Sequence, residues 1–251
     1  MQYREVHPSN RALAPYLRFF WTLSSVTSLP VPQLIVPDGC PEMIFHFGDR
    51  FLLHCATGSV VQPRAFVFGQ IERAIVIEAC GSNVDILGVR FQPAGLSAFT
   101  PMPCSEFTGR MVECRDLWAE EPQFVDGVDR VATLERFLLQ RLRPRPVPWR
   151  EDLSSRQNRR RFADSVGLSP KRMERIQRLQ AAMSGLRLGG LAEAALAAGY
   201  YDQAHFTREF REFTGQTPAQ FRREPHAFSD FFTQQMDVRN VQETGPHDGA
   251  E

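Results

Sequence analysis

The chain has 251 residues, 43% of them hydrophobic and 20 of them phenylalanine, which is enough for one large domain or two modest ones with packed cores. Its 29 Lys and Arg residues balance 29 Asp and Glu residues, so the net charge alone points to no class of partner. No apolar stretch approaches the ~18–20 residues of a membrane span, and the N-terminus lacks the pattern of a signal peptide. The five cysteines show no CxxC pairing, so we expect a cytoplasmic protein with reduced thiols and no membrane partner.

The first part of the chain, residues 1–118, has the short apolar runs of a β-rich domain. LIVPDGCPEMIFHF places two such runs around a Pro-Asp-Gly turn, and AFVFG, AIVIEAC and VDILGVRF follow, rich in Val, Ile and Phe. Their spacing predicts a small barrel or sandwich-like, cupin-like domain. We expect short helices at NRALAPYLRFFW and PAGLSAF.

A helical period replaces the strand pattern in residues 119–143. The apolar stripe consists of Val128, Val131, Leu134 or Glu135, Leu138 and Leu142. This spacing predicts an amphipathic helix, which either packs on the core or forms a dimer seam. Residues 144–150 hold three prolines and predict a stiff linker, since alternate prolines cannot continue a helix. The tail, residues 225–251, is expected to be partly disordered, although AFSDFF has the composition of a docking segment.

One motif occurs twice, 48 residues apart. RRFADSVGLSP ends at Pro170 and REFREFTGQTP ends at Pro218, with Phe, Gly, Ser or Thr, and Pro in matching places. The segments before the two copies differ: LAEAALAAGYYD precedes the second, whereas RPRPVPWRED precedes the first. The duplication therefore predicts two related units, of which only the second has a helical lead-in.

The second copy predicts a helix-turn-helix. Gly199 suits the left-handed end of one helix, and Asp202 suits the N-cap of another running from Gln203 to about Phe213. Phe206, Phe210 and Phe213 form its buried stripe, and Gly215 ends it before a capping box at Thr217-Pro218-Ala219-Gln220. The side chains left facing outward are Gln203, Ala204, His205, Thr207, Arg208 and Arg211.

A helix with this polar outer face fits the major groove of double-stranded DNA, where Gln, Thr and Arg bond base edges. A plain helical hairpin would satisfy the same pattern. An acid–base site built on Tyr200, Tyr201, Asp202 and His205 is disfavoured, because no nucleophile accompanies them and Asp202 already serves as a cap. We therefore expect no enzyme and no cofactor.

AGYYDQAHFTREFREFTGQTPAQFRR resembles the signature of the AraC/XylS family of transcription regulators. GLSPKRMERIQRLQAAM resembles that family's connecting helix, with Ser169 as N-cap and Pro170 at the first helical position. YLRFFW, VPDGCPEMIFHFG, GVRFQPAG and LERFLL resemble the β-rich sensor module of one AraC-type subgroup. The resemblance implies an α+β protein: an N-terminal β-rich sensor or dimerisation domain and, at residues 151–224, an all-α DNA-binding domain with two helix-turn-helix units.

The resemblance also assigns side chains. The second reading helix would present the residues named above, with Arg208 and Gln203 as the expected base readers. RQNRRRFADSVG resembles the first reading helix, which would present Arg156, Gln157, Arg159 and Arg160 to DNA. Residues 151–224 hold 13 Lys and Arg against 9 Asp and Glu, and arginine suits contact with phosphate and guanine.

The first unit departs from the family pattern. Asn158 stands where the second copy has Phe206, and Pro144, Pro146 and Pro148 occupy the place of the supporting helix. A proline inside a helix costs ~3 kcal/mol or more, so we expect a truncated first unit with Asn158 exposed to solvent. We further expect weaker DNA affinity than that of a full family member, or reliance on a homodimer. The alternative is a ligand- or partner-binding protein that has lost specific DNA binding.

The N-terminal phenylalanines Phe45, Phe47, Phe66, Phe68 and Phe91 either enclose a small-molecule effector or simply fill the domain. Cys40, His46, His54 and Cys55 invite comparison with a metal site, but their spacing matches no metal motif and His46 lies opposite its Phe neighbours on a strand. We expect no metal. A thiol sensor at Cys40 or Cys104 is also disfavoured, because neither cysteine has an adjacent base.

Overall fold

The structure is a computed structural model, and it describes residues 2–26, 32–55, 58–144, 152–186 and 190–223. The predicted linker beyond Pro144 and the predicted tail lie outside the described residues, as do the prolines at 146 and 148. The chain is an α+β protein, as predicted, and it divides into two compact units, Met1–Ile176 and Gln177–Glu251.

The strands lie in the N-terminal part of the chain and the long helices follow them. The strands are β1 (Gln2–Val6), β2 (Leu17–Ser25), β3 (Gln33–Ile35), β4 (Glu42–His46), β5 (Phe51–Cys55), β6 (Gly58–Val61), β7 (Ala65–Phe68), β8 (Ile75–Ala79), β9 (Val84–Phe91) and β10 (Met111–Glu113). The α-helices are α1 (Cys114–Leu117), α2 (Arg130–Arg141), α3 (Ser155–Val166), α4 (Pro170–Leu186), α5 (Leu191–Ala197), α6 (Gln203–Thr214) and α7 (Pro218–Phe221). Two short 3-10 helices, Gly95–Ala98 and Cys104–Phe107, lie between β9 and β10.

Within the described ranges the strands form two open antiparallel sheets rather than a closed barrel. The larger sheet has the order β1-β2-β9-β4-β7-β10 and the smaller one β3-β8-β5-β6. β9 lies between β2 and β4 inside the larger sheet, and its residues from Ile86 to Phe91 are buried on both faces. AFVFG, AIVIEAC and VDILGVRF therefore form strands as predicted.

The larger sheet separates two apolar clusters. On one face Met43, Phe45 and Phe91 pack with Leu134 and Leu138 of α2. On the other face Phe66 and Phe68 pack with Leu53 of the smaller sheet. Four of the five phenylalanines named as cavity candidates thus fill these clusters, which favours the packing interpretation of their role.

Helix α2 packs on the core, which is one of the two roles predicted for the amphipathic segment. Its Leu134 and Leu138 are fully buried in the main cluster. The helix starts at Arg130, where the Asp129 side chain accepts hydrogen bonds from the backbone N–H groups of Val131 and Ala132, and Val128 before it is exposed. The predicted helical stripe was therefore too long at its N-terminal end, because a cap set the boundary and apolar periodicity did not.

The predicted helix at NRALAPYLRFFW was wrong. Residues before Leu17 form turns, and the aromatic run Phe19-Phe20-Trp21 lies in β2, paired with β9. Pro15 interrupts any helix, and a run of aromatic residues packs well on a pleated surface. The predicted short helix at PAGLSAF is present as the first 3-10 helix.

His46 and Cys40 are both buried in the N-terminal domain. The His46 ring stacks between Phe51 and Phe66, and its Nε2 lies 3.0 Å from Oε1 of Gln62. Burial raises the pKa of the Cys40 thiol, which makes a reactive thiolate there unfavourable. Among the described residues, no three His, Cys, Asp or Glu side chains are grouped closely enough to hold a metal ion. None of the helices in the described residues combines the length and the apolarity needed to cross a bilayer.

Candidate nucleic-acid interface

The second helix-turn-helix consists of α5 and α6 joined by a tight turn. Gly199 has φ +84°. Its backbone N–H donates to the carbonyl of Leu196 at 3.0 Å, and the backbone N–H of Tyr200 donates to the carbonyl of Ala195 at 3.0 Å, so both bonds close the end of α5. Asp202 then caps α6, because its Oδ1 accepts the backbone N–H of His205 at 2.6 Å. The helix ends at Gly215, with φ +77°. The turn, the cap and the helical bounds agree with the sequence prediction.

The predicted phenylalanine stripe fixes which face of α6 points outward. Phe206 and Phe210 are fully buried and Phe213 nearly so. The Phe206 and Phe210 rings meet edge to face at 5.5 Å, and Phe210 meets Phe221 of α7 at 5.4 Å. α7 itself begins with the predicted capping box between Thr217 and Gln220, with Pro218 at its first position. These contacts lock the rotation of α6 about its own axis.

The outward face of α6 carries the predicted reading residues. Gln203, Ala204, Arg208 and Arg211 are exposed, whereas His205 and Thr207 are half-buried. Thr207 donates its hydroxyl to the carbonyl of Gln203 at 2.8 Å, so that its donor is engaged within the helix. The His205 ring packs against Tyr200 at 5.3 Å. The exposed polar side chains among the predicted reading residues are therefore Gln203, Arg208 and Arg211.

A buried ion network ties α6 to the C-terminal half of α4. The Tyr200 hydroxyl donates to Oε1 of Glu209 at 2.9 Å, and Nη2 of Arg178 lies 3.2 Å from both Glu209 oxygens. Burial raises the pKa of Tyr200, with the Glu209 charge adding to the effect. Burial acts to lower the pKa of Arg178, but the charge of Glu209 outweighs it and the pKa rises. The network gives the Glu209 carboxylate, which is only 6% exposed, a hydroxyl donor and a positively charged partner.

Sequence reasoning missed this network, although a signal was present. Glu209 lies three residues after Phe206 and four before Phe213, so helical periodicity places it on the buried stripe. A buried carboxylate needs a partner, and Arg178 and Tyr200 supply it. Tyr200 therefore stabilises the fold, while Tyr201 is 87% exposed and Asp202 acts as a cap. This arrangement explains the four residues without acid–base chemistry.

Helix α3, predicted to be the first reading helix, begins with a capping box that was not predicted from the sequence. The Ser154 hydroxyl oxygen accepts the backbone N–H of Gln157 at 3.3 Å, and the Gln157 side chain accepts the backbone N–H of Ser154 at 3.0 Å. Gln157, predicted to face DNA, is thus occupied in the cap. Arg156, Arg159 and Arg160 are exposed, and Arg160 is 3.9 Å from Asp164. The helix ends at Gly167 with φ +92°, and α4 starts at Pro170 with Ser169 as its cap, as predicted.

The predicted exposure of Asn158 was wrong. Asn158 is only 2% exposed, and its Nδ2 donates to the carbonyl of Leu153 at 3.1 Å. The reason is that α3 packs against both 3-10 helices of the N-terminal domain. A supporting surface therefore exists, but it comes from a part of the chain about sixty residues earlier in sequence.

Comparisons with known proteins match the N-terminal and C-terminal parts of the chain to two different family models. Residues 150–224 match the family model described as "Helix-turn-helix domain", and residues 4–113 match a domain of unknown function, DUF6597. No curated protein matches the chain in sequence.

Among solved structures, the chain resembles ToxT from Vibrio cholerae. One ToxT structure gives a TM-score of 0.40 at 9% identity, covering 80% of this chain and 97% of ToxT. Another, bound to (E)-4-(8-methylnaphthalen-1-yl)but-3-enoic acid, gives 0.42 at 8% identity with the same coverage. The two family models together place a helix-turn-helix domain behind an N-terminal DUF6597 domain in this chain.

Proposed function

We propose that this protein is a sequence-specific DNA-binding transcription regulator that reads the major groove with α6. The observation that supports this role is the face of α6: Gln203, Arg208 and Arg211 are exposed on one side, while the phenylalanine stripe fixes the opposite side in the core. A helix presented in this way places its N-terminal side chains against base edges. Arg208 and Gln203 are the proposed base readers, and Arg211 a phosphate contact.

The α3 arginines have a different proposed role. The exposed basic side chains of α3 are Arg156, Arg159 and Arg160. Their guanidinium groups only donate hydrogen bonds, and Gln157 beside them is engaged in the helix cap. Contacts of arginine with phosphate fix register and add affinity without reading sequence. We assign this role to the α3 arginines, and we expect Ala204, His205 and Thr207 to shape the base contacts of α6 by their size and polarity.

The N-terminal domain is the proposed site of regulation. It provides a separate folded sheet structure, with which a small-molecule effector or a second copy of the chain would interact.

Replacement of Arg208 tests the reading role. A duplex bound by the purified wild-type chain is first selected from a randomised pool, and its affinity is then measured for Arg208→Ala. Loss of a bidentate base contact should cost ~1–3 kcal/mol and relax preference at one or two base positions.

The matched control is Arg136→Ala, which removes an equally exposed arginine from α2. This variant should keep both affinity and preference. If Arg208→Ala keeps the wild-type preference at every position, Arg208 reads no base.

A further inference from the structure

Helix α3 is built into the N-terminal domain. The division between the two compact units falls inside α4, after Ile176, so α3 and the first turns of α4 belong with the sheets. The inner face of α3 carries Asn158, Phe162 and Val166, and it packs against the 3-10 helices Gly95–Ala98 and Cys104–Phe107. Asn158 and Val166 are each 2% exposed.

The end of α3 is seated on the loop that follows the second 3-10 helix. The Thr108 hydroxyl donates to the carbonyl of Gly167 at 2.5 Å. Gly167 has φ +92°, and a Cβ added there would lie 3.0 Å from the Cys104 carbonyl oxygen and 3.2 Å from both Gln70 Cγ and Thr108 Oγ1. The turn between α3 and α4 therefore fits closely against the N-terminal domain, with little room for a side chain.

The first turns of α4 complete the contact. Met173 is 5% exposed and Ile176 is fully buried. The Met173 side chain packs on Gly39, where φ is +78° and a Cβ would come within 2.5 Å of the Met173 methyl group. The Arg172 guanidinium donates to the Glu72 carbonyl, and its Nε lies 3.6 Å from Glu72 Oε1. Gly39 thus has two roles: it adopts the left-handed conformation of the Pro37-Asp38-Gly39 turn, and it leaves room for the Met173 side chain of α4.

We propose that the N-terminal domain takes the place of the supporting helix in the first helix-turn-helix unit, and that Thr108 and Arg172 are positioning residues that set α3 on DNA. The proposal rests on the proposed function for its DNA part. Among the described residues, those between α2 and α3 form no helix that would support α3, and the buried inner face is covered by the 3-10 helices. The placement of the α3 arginines then depends directly on the N-terminal domain.

Amide exchange in the full-length chain tests the packing. Thr108→Val keeps the side-chain volume but removes the donor to Gly167, and Arg172→Gln removes the contact with Glu72. Each should speed exchange of the α3 amides about fivefold or more, because losing one hydrogen bond lowers the local opening free energy. The amides of α6 should be unchanged.

The control is Lys171→Gln, which removes an exposed charge from the same turn of α4. This variant should leave α3 exchange at the wild-type rate. Equal α3 exchange in the wild type and in both Thr108→Val and Arg172→Gln would overturn the proposal, whatever the chain does with DNA.

A footprint on the selected duplex tests the positioning role. Thr108→Val should lose protection over the segment contacted by α3 and keep it over the segment contacted by α6. General destabilisation would weaken both segments together and would overturn the assignment.

A double-mutant cycle separates action through α3 from independent action. In a Thr108→Val background, Arg160→Ala should reduce DNA affinity much less than it does in the wild type, since α3 is already displaced. Fully additive losses would contradict the proposal. If the wild-type chain binds no duplex, the proposed function fails together with the DNA part of this inference, and the exchange experiment then decides the packing alone.

Discussion

At the scale of single residues, helix α6 depends on buried groups that do not belong to its outward face. Tyr200, Glu209 and Arg178 form a buried network whose members lie in three separate segments of the chain. A buried carboxylate that loses a partner keeps its desolvation cost, so each member is needed for the others. The network sets the geometry from which Arg208 and Gln203 project.

Tyr200→Phe should lower the free energy of unfolding by ~1–2 kcal/mol, because the hydrogen bond to Glu209 is lost while the ring remains. Urea denaturation of the full chain measures the change. Tyr201→Phe is the matched control, since its side chain is 87% exposed and it should change stability by less than ~0.5 kcal/mol. Equal stability of the two variants would show that the network adds nothing.

His46 makes stability depend on pH. Burial lowers the pKa of His46 to about 4, Gln62 opposes the shift by its hydrogen bond, and Arg64 and Arg50 add to it. The unfolded chain therefore binds a proton that the folded chain excludes between pH ~6.5 and about 4. The His46 contribution to stability is complete above pH ~6.5 and is lost as the pH falls towards 4, by ~1–3 kcal/mol.

His46→Gln should flatten the fall in the free energy of unfolding as the pH decreases, called here the acid limb, in urea denaturation curves collected between pH 7 and 4.5. His7→Gln removes an exposed histidine and should leave the limb unchanged. A His46→Gln variant with the full wild-type slope would mean that folding does not lower the pKa of His46.

At the scale of elements, the sequence predicted those parts of the site whose determinants are local. The bounds of α6 follow from an N-cap, a stripe and a terminal glycine within fourteen residues, and all three are visible in the sequence. The burial of Asn158 was not predictable in this way, because its cover comes from 3-10 helices that lie far earlier in the chain. The start of α2 was misplaced for the opposite reason: the apolar period continued past the Asp129 cap.

The α3 arginines should act as phosphate contacts. Replacing Arg156, Arg159 and Arg160 together by Ala should reduce the slope of log K against log salt by up to ~2.7, since each phosphate contact contributes ~0.9. Base preference should be retained, because these side chains are proposed to read no base. Anisotropy titrations at several salt concentrations measure both quantities, with Arg136→Ala as control. An unchanged slope would remove α3 from the interface.

At the scale of the whole molecule, the described residues between α2 and α3 form no helix that would support α3, so we expect a smaller DNA surface than two complete units would give. A single reading module buries only ~600–1,000 Å² on DNA, less than most specific complexes. We therefore expect a monomer to bind weakly and tight binding to require two copies. Sedimentation of the protein–DNA complex gives the stoichiometry, and anisotropy at the same concentrations gives the affinity. Nanomolar binding by a monomer would contradict this expectation.

The opposing interpretation is a ligand- or partner-binding protein that no longer recognises DNA. The integration of α3 into the N-terminal domain is compatible with both interpretations, because a helix fixed on one domain is either placed on DNA or withdrawn from it. The exposed arginines distinguish them, since their charge has an effect on DNA affinity only if they meet phosphates.

The most direct test is therefore a salt titration of the full-length chain with two duplexes, the selected sequence and a scrambled sequence of the same composition. The proposed function predicts affinity for both that falls steeply as salt rises, with at least ~1,000-fold tighter binding of the selected duplex at physiological salt. Absence of binding to either duplex at low salt, or equal binding to both, would contradict a sequence-specific regulator.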